Sequence, residues 1–336
     1  MTKNSQNVTK NSKIITSYNT KDSYQTYFNW IWFLFGCYVV MYIMTAINVA
    51  LNGSDAANST TFEYITYLLS PTLFFLLFCW QNRGKKYDIK QCLGLNNKLS
   101  IGNIIISIVI AVLSILCFSK ITVIFDYSLS IIGFNPLDEV TLIYDNFGYL
   151  LLNLLLLAVL PAVCEELIFR GIILNGLKKE HSPAAAILIS AALFTLMHGT
   201  LQQTLYQFIL GTFLSILMYY TANIIYPIIT HFLSNAFVIV ASYIELKNTT
   251  GGSTSTAITG VTTIDLIVGF GLALIGIIAM YFVTRYYLRP KSANQTIIYK
   301  GKSIANYTMN ERRYAIISIS IAIILWLINT IYQFTV

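Results

Sequence analysis

The chain is a succession of long apolar runs, several reaching the roughly 20 residues that an α-helix needs to cross a bilayer, separated by short polar segments that hold most of its charge. Nine such runs fall at about 28–51, 61–80, 101–118, 149–175, 183–198, 204–221, 224–244, 264–285 and 314–334. Water is a poor solvent for them. Of the 336 residues 56% are hydrophobic and only 10% charged, against about a quarter charged in an ordinary soluble domain. The runs are Ile-rich and continuous rather than alternating, so a barrel of dyad-patterned strands fits badly. The expected fold class is all-α, a polytopic transmembrane helix bundle of about eight or nine transmembrane helices.

The formal charge of +7 does not point to nucleic acid, because the basic residues sit in short segments between apolar runs instead of on one face. They read as topology signals, and one alternation satisfies every loop. The polar arm holds Lys3, Lys10, Lys13 and Lys21; the loop after the second run holds Arg83, Lys85, Lys86, Lys90 and Lys98; the turn after the fourth holds Lys178 and Lys179. Arg285, Arg289, Lys291, Lys300, Lys302, Arg312 and Arg313 join them on the same side. The alternate loops are acidic or neutral, with Asp55, then Asp138, Glu139 and Asp145, then Asn248 to Thr263. This predicts a cytoplasmic N-terminus and an external C-terminus. The first apolar run is too long for the core of a cleaved signal peptide.

Four regions are expected: a polar cytoplasmic arm over 1–27, N-terminal transmembrane helices over 28–134, a core over 145–245 and a C-terminal pair of helices with a basic loop over 264–336. No internal repeat and no matched pair of broken helices is present, which lowers the case for a transporter built from repeats. Cys37, Cys79, Cys92, Cys117 and Cys164 show no metal-ligand spacing and read as small hydrophobes.

Polar residues inside the core runs are the candidates for chemistry. The fourth run is almost wholly apolar apart from Asn153, then presents Glu165, Glu166 and Arg170 before Gly171. An ionised residue near the centre of a membrane helix costs about 2.5–3.5 kcal/mol on insertion scales, so groups kept there generally have a task. The bland reading is a helix end whose charges meet water. Spacing argues otherwise: Glu166 and Arg170 are four apart and can pair on one face, which leaves Glu165 on a neighbouring face as a candidate general acid or base. Pro161, four residues earlier, either kinks the helix beside Glu165 or is a tolerated membrane proline.

The fifth run carries Ser190, Phe194 and Met197 to His198, and the seventh carries Pro227, His231 and Asn235, the last two on one helix face. Either histidine alone reads as a packing or headgroup-wetted residue. His181, the third in the chain, lies in a Lys-Lys-Glu-His loop and reads as solvated. A carboxylate, two imidazoles and a carboxamide gathered between helices would supply a base, a partner for water and donors to an oxyanion.

Glu165-Glu166-x-x-x-Arg170, Phe194-x-x-x-His198 and His231-x-x-x-Asn235, in this order and with Leu167-Ile168-Phe169-Arg170-Gly171 as context, resemble the three motifs of the CAAX-protease and bacteriocin-processing family, also called CPBP or Abi, whose eukaryotic members are type II CAAX prenyl endopeptidases. The resemblance covers roughly Tyr149 to Tyr243. It implies an intramembrane protease open toward the cytoplasm that hydrolyses a peptide bond in a membrane-associated or lipidated substrate. By motif position Glu165 would activate water with His198 assisting, His231 and Asn235 would orient substrate and stabilise the oxyanion, and Glu166 and Arg170 would support them. Glu165, His198 and His231 are also a conceivable Zn²⁺ ligand set with an open position, the metalloprotease reading. A metal-free route uses the same side chains, and the helical His-Glu-x-x-His pair is missing.

Two other classes compete: a non-catalytic membrane immunity or cell-envelope regulatory protein, and a proton-coupled carrier using Glu165 and the histidines as a relay. The Ile-, Asn- and Tyr-rich composition points to a bacterial plasma membrane, and hence to peptide rather than prenylated substrates. Depth poses one difficulty. At 1.5 Å per residue His198 lies about 24 Å from Ser182, whereas Glu165 lies about 15 Å from Asn175, so tilt or a kink is needed to bring them level.

Overall fold

The computed structural model describes residues 43–44, 47, 50, 60–83, 90, 93–134, 143–178, 181–198, 201–248, 261–292 and 309–335. The expected N-terminal arm, nearly all of the first expected span, Asp138 and Glu139, most of the Asn248 to Thr263 connection and the stretch holding Lys300 and Lys302 lie outside the described residues.

Among the described residues every regular element is a helix. In chain order they are α1 (Thr60–Asn82), α2 (Ile101–Ile131), α3 (Phe147–Leu177), α4 (Pro183–His198), α5 (Leu201–Thr221), α6 (Ile225–Asn248), α7 (Thr263–Leu288) and α8 (Met309–Thr335). Helix is what a bilayer imposes on such a chain, because it satisfies each backbone N–H and C=O within its own segment. By length and composition α2, α3, α6 and α7 can cross a membrane. The larger expected count also draws in α1, α5 and α8, which match the runs 61–80, 204–221 and 314–334 in position. The other described run, α4, is apolar but has only 16 residues, about 24 Å of helix against a hydrocarbon core of about 30 Å.

The reading of 101–118 underestimates α2, which continues through Lys120 and Asp126 to Ile131. A lysine is accommodated there because Lys120 Nζ meets Asp265 Oδ1 at 2.7 Å on α7. The other Asp265 oxygen accepts from the N–H of Thr262, whose hydroxyl in turn accepts from the Asp265 N–H, a capping box that starts α7. Along the α2–α7 contact the backbones come close at Gly269 and Gly276, where a Cβ would lie 2.5 Å from Ile124 Cδ1 and 2.7 Å from Cys117 Cβ. Small residues at such crossings are how membrane helices gain packing without a hydrophobic driving force.

Three features hold the middle of the bundle. Asn146 caps α3, its Oδ1 accepting from the N–H groups of Gly148 at 2.8 Å and Tyr149 at 3.2 Å. Further along α3, Tyr64 of α1 donates its hydroxyl to Asn153 Oδ1 at 2.6 Å while Asn153 Nδ2 donates to the Ile143 carbonyl at 3.1 Å. At the opposite end, the segment before α2 is stitched onto the α5–α6 turn. The Ile224 N–H donates to Leu93 O at 3.0 Å, Asn97 Nδ2 to Ala222 O at 3.2 Å, and the Ser100 N–H to Tyr226 Oη at 2.8 Å. Gly94, at φ +69°, makes this approach feasible, since a Cβ there would sit 1.8 Å from Ala222 O. Leu93, Ile168, Phe169, Phe194, Met218 and Ile224 form the core beneath the turn.

Candidate functional site

The site is built on α3, whose hydrogen-bond ladder changes register twice. Leu154–Val159 and Leu167–Leu174 are π-helical, and between them the α-helical stretch Leu160–Glu166 carries both glutamates. Each π segment adds a residue to the turn and rotates the residues beyond it, a device found frequently where a helix must aim side chains at a site. Glu165 and Glu166 are both buried, as are Arg170 and His231. His198 and Asn235 are half-buried.

Glu166 is the hub of the polar cluster. Its Oε1 accepts from Arg170 Nη1 at 2.8 Å, one turn along α3, and from His231 Nδ1 at 3.0 Å across on α6. Arg170 Nη2 donates to the Gly211 carbonyl of α5 at 3.0 Å, and its Cζ lies 4.5 Å from the centroid of the Phe194 ring. The pairing of Glu166 with Arg170 expected from their spacing is therefore present. The tie from Glu166 to His231 is an addition that spacing along one helix could not reveal.

Because a carboxylate only accepts, His231 Nδ1 must carry the hydrogen in this bond, and its Nε2 is left with a lone pair when the ring is neutral. That Nε2 faces Glu165 Oε2 at 4.0 Å. Glu165 Oε2 accepts no hydrogen bond from any described residue. Glu166 Oε2 is likewise without a partner, so what separates the two glutamates is that Glu166 Oε1 accepts from two donors while Glu165 turns its Oε2 toward an imidazole without a hydrogen bond.

His198 ends α4, and its Nδ1 lies 2.9 Å from the Phe194 carbonyl. A carbonyl also only accepts, so Nδ1 carries the hydrogen and Nε2 is the basic atom. Phe194 joins the parts, with its ring centroid 4.7 Å from that of His198, 5.8 Å from that of His231 and 5.2 Å from that of Phe169. These contacts answer the difficulty of depth: Arg170, His198 and His231 all pack on one phenylalanine, so α4 brings its last turn to the cluster. Ser190 lies behind, its hydroxyl donating to the Phe169 carbonyl at 3.4 Å.

Asn235, one turn beyond His231, points its Nδ2 at the Leu157 carbonyl of α3, 3.1 Å away. The structure therefore brings Arg170, His198 and His231 onto Phe194, ties Glu166 to Arg170 and His231 and places Glu165 beside His231, and sets Asn235 against α3 one turn further along α6. His181 stands apart at the start of the α4 segment. Sequence reasoning missed the backbone partners, Gly211 O and Leu157 O. Neither leaves a signal in sequence. Among the described residues no three His, Cys, Asp or Glu side chains are gathered as a metal ion would require, so Glu165, His198 and His231 do not make a ligand set as they stand.

Residues 147–237 match the family model described as Type II CAAX prenyl endopeptidase Rce1-like. The matched stretch opens on the first residue of α3 and closes two residues after Asn235, so it contains every residue of the cluster. No curated protein and no solved structure matches the chain.

Proposed function

We propose that this chain is an intramembrane endopeptidase that hydrolyses a peptide bond in a membrane-associated or lipidated peptide or protein, with water activated by Glu165. The observation that carries the reading is the division of labour between the two glutamates: Glu166 is bonded to Arg170 and His231 through Oε1, and Glu165, bonded to neither, sets its Oε2 4.0 Å from His231 Nε2. The Rce1-like match over 147–237 supports the same class of reaction.

In this scheme Glu165 takes a proton from water as the hydroxide oxygen bonds to the substrate carbonyl carbon, and the basic Nε2 of His198 orients that water. Negative charge moves to the carbonyl oxygen. A proton passed from Glu165 to His231 Nε2 turns that atom into a donor, while Glu166 balances the imidazolium through Nδ1. The amide of Asn235 has a second N–H to offer the same oxyanion. Collapse of the intermediate breaks the C–N bond, and the proton goes to the leaving nitrogen. A glutamate-dependent route of this kind needs no metal ion. The type II CAAX prenyl endopeptidase description makes a lipidated C-terminal segment one substrate class to test, beside an unmodified leader or signalling peptide.

Comparing the membrane peptidomes of cells carrying the intact protein, Glu165→Gln, His198→Ala and His231→Ala tests the reading. Each substitution is expected to lower the same set of products by at least about a hundredfold, the scale of general acid–base catalysis, at unchanged membrane abundance. Identical peptidomes would leave a non-catalytic regulatory or immunity protein as the better reading. Loss of activity in chelator, regained with Zn²⁺, would overturn the metal-free route.

A further inference from the structure

We propose that Gln207 of α5 holds the main chain of the substrate beside the bond to be cut, its carboxamide pairing with a substrate peptide unit; this rests on the protease reading of the site. Helix α5 carries no charged residue, and its apolar run is broken near the start by Gln202, Gln203 and Gln207. Gln207 is the innermost of these, and its Oε1 is buried and accepts no hydrogen bond from any described residue. Its place is fixed by two contacts of Gly211, one turn further along α5. A Cβ at Gly211 would lie 3.0 Å from Phe194 Cδ1 on α4, and the Gly211 carbonyl accepts from Arg170 Nη2 on α3 at 3.0 Å. Helix α4 ends at His198 and α5 begins at Leu201, so the two run antiparallel, and one turn back from Gly211 matches one turn on from Phe194. Gln207 therefore stands level with His198. Helix α3 runs the same way as α5, since α4 reverses the chain between them, and one turn back from Arg170 is Glu166, with Glu165 next to it. The same step puts Gln207 level with both glutamates. Residues four apart share a helix face, so the face that Gly211 turns to Phe194 and Arg170 carries Gln207 as well.

The chemistry of the group fits a peptide backbone. A carboxamide offers an acceptor and donors in one plane, the complement of a peptide unit whose N–H it accepts from and whose carbonyl it donates to. A substrate segment opened out for hydrolysis has lost its helical partners, and at bilayer depth water does not replace them, so each bare N–H or C=O has to be met by the protein. The other polar side chains at this level are engaged: Glu166 with Arg170 and His231, and Asn235 with the Leu157 carbonyl. Gln207 is neutral and has an acceptor to give, so it can hold the chain without placing a third charge beside the two glutamates. A polar tie between α5 and its neighbours, the ordinary use of glutamine between membrane helices, requires a partner for Oε1, and no described residue supplies one. Because the contact is to main chain, it gives grip without reading a side chain. Substrates are then expected to vary in sequence at this point and to share an extended backbone.

The full chain in nanodiscs is made as wild type, Gln207→Met and Gln207→Leu; methionine keeps the length and flexibility of the side chain and deletes both polar atoms. Each is given a synthetic peptide spanning the cleavage site of the most abundant Glu165-dependent product, and two analogues in which one or the other peptide bond flanking the scissile bond is an ester. An ester removes a single N–H and leaves the chain otherwise alike. Wild type is expected to cut one of the ester analogues about threefold to tenfold less efficiently in kcat/KM than the amide, the scale of one neutral hydrogen bond. In both variants that ratio is expected to fall within about twofold of unity, as for groups that no longer interact. On the all-amide peptide both variants are expected to lose about tenfold to a hundredfold in kcat/KM, because the substrate N–H is then buried unpaired, while Tm stays the same or rises because no partner inside the protein is lost. An amide-to-ester ratio shared by wild type and both variants overturns the proposal. A lowered Tm in both variants with wild-type kcat/KM also overturns it, and makes Gln207 a tie between helices. If Glu165→Gln changes no peptide at all, the protease reading falls and this role with it; if Glu165 matters and the ratio does not move, only the role of Gln207 falls.

Discussion

Arg170 divides its guanidinium among three neighbours: a carboxylate on its own helix, a backbone carbonyl on α5 and the face of an aromatic ring on α4. Only a planar fork can meet all three at once. Both members of the Glu166–Arg170 pair are fully buried, so removing one strands a charge in a place water does not reach. Arg170→Met is expected to destabilise the protein by about 3–5 kcal/mol, read as a fall in Tm of the detergent-solubilised chain. Arg170→Lys is expected to recover only part of this, because a lysine cannot span Glu166 Oε1 and Gly211 O together. At this scale the sequence is informative within a helix and silent between helices. Glu166 and Arg170 announce their pairing by a four-residue interval, as do His231 and Asn235 their common face. That His231 selects Glu166 for its Nδ1 depends on how α3 and α6 are set against each other, which no local interval encodes.

Helices α3 and α4 position the cluster by being irregular and short, respectively. The first π segment of α3 falls in a run of leucines that looks uniform on paper and the second straddles Arg170 and Gly171, so apolar patterning finds the helix but not its changes of register. The end of α2 is hidden for a related reason: Lys120 reads as a boundary until Asp265, far along the chain, is seen to neutralise it. The turn at Gly94 is another place where elements depend on one residue. Its positive φ and the 1.8 Å separation between a would-be Cβ and Ala222 O mean that a side chain forces the Leu93 strap off the α5–α6 turn. Gly94→Ala is expected to cost about 3 kcal/mol, combining backbone strain with overpacking. The check is thermal unfolding together with limited proteolysis in the 93–100 segment, which should become cleavable.

For the molecule as a whole, the outward residues are those of a lipid-facing surface: Ile101, Ile131, Ile267 and Tyr286 are all exposed and lie on helices long enough to cross a bilayer. The protein is expected to stay with membranes through alkaline carbonate extraction and to be released only by detergent; recovery in the soluble fraction would contradict the fold reading. The brevity of α4 has a consequence at this scale. A helix about 6 Å shorter than the hydrocarbon core nonetheless delivers His198 to the cluster, and its last turn, Thr195 to His198, has no fully exposed side chain. The bilayer is expected to dimple around so short a helix, and the work of bending it then enters the free energy of the active arrangement. Thickness then becomes an effector in its own right. In vesicles whose acyl chains lengthen from about 14 to about 22 carbons, the rate of Glu165-dependent cleavage should fall as the dimple grows deeper. A cell could thus tune this protein by remodelling its lipids, with no ligand bound and no residue changed.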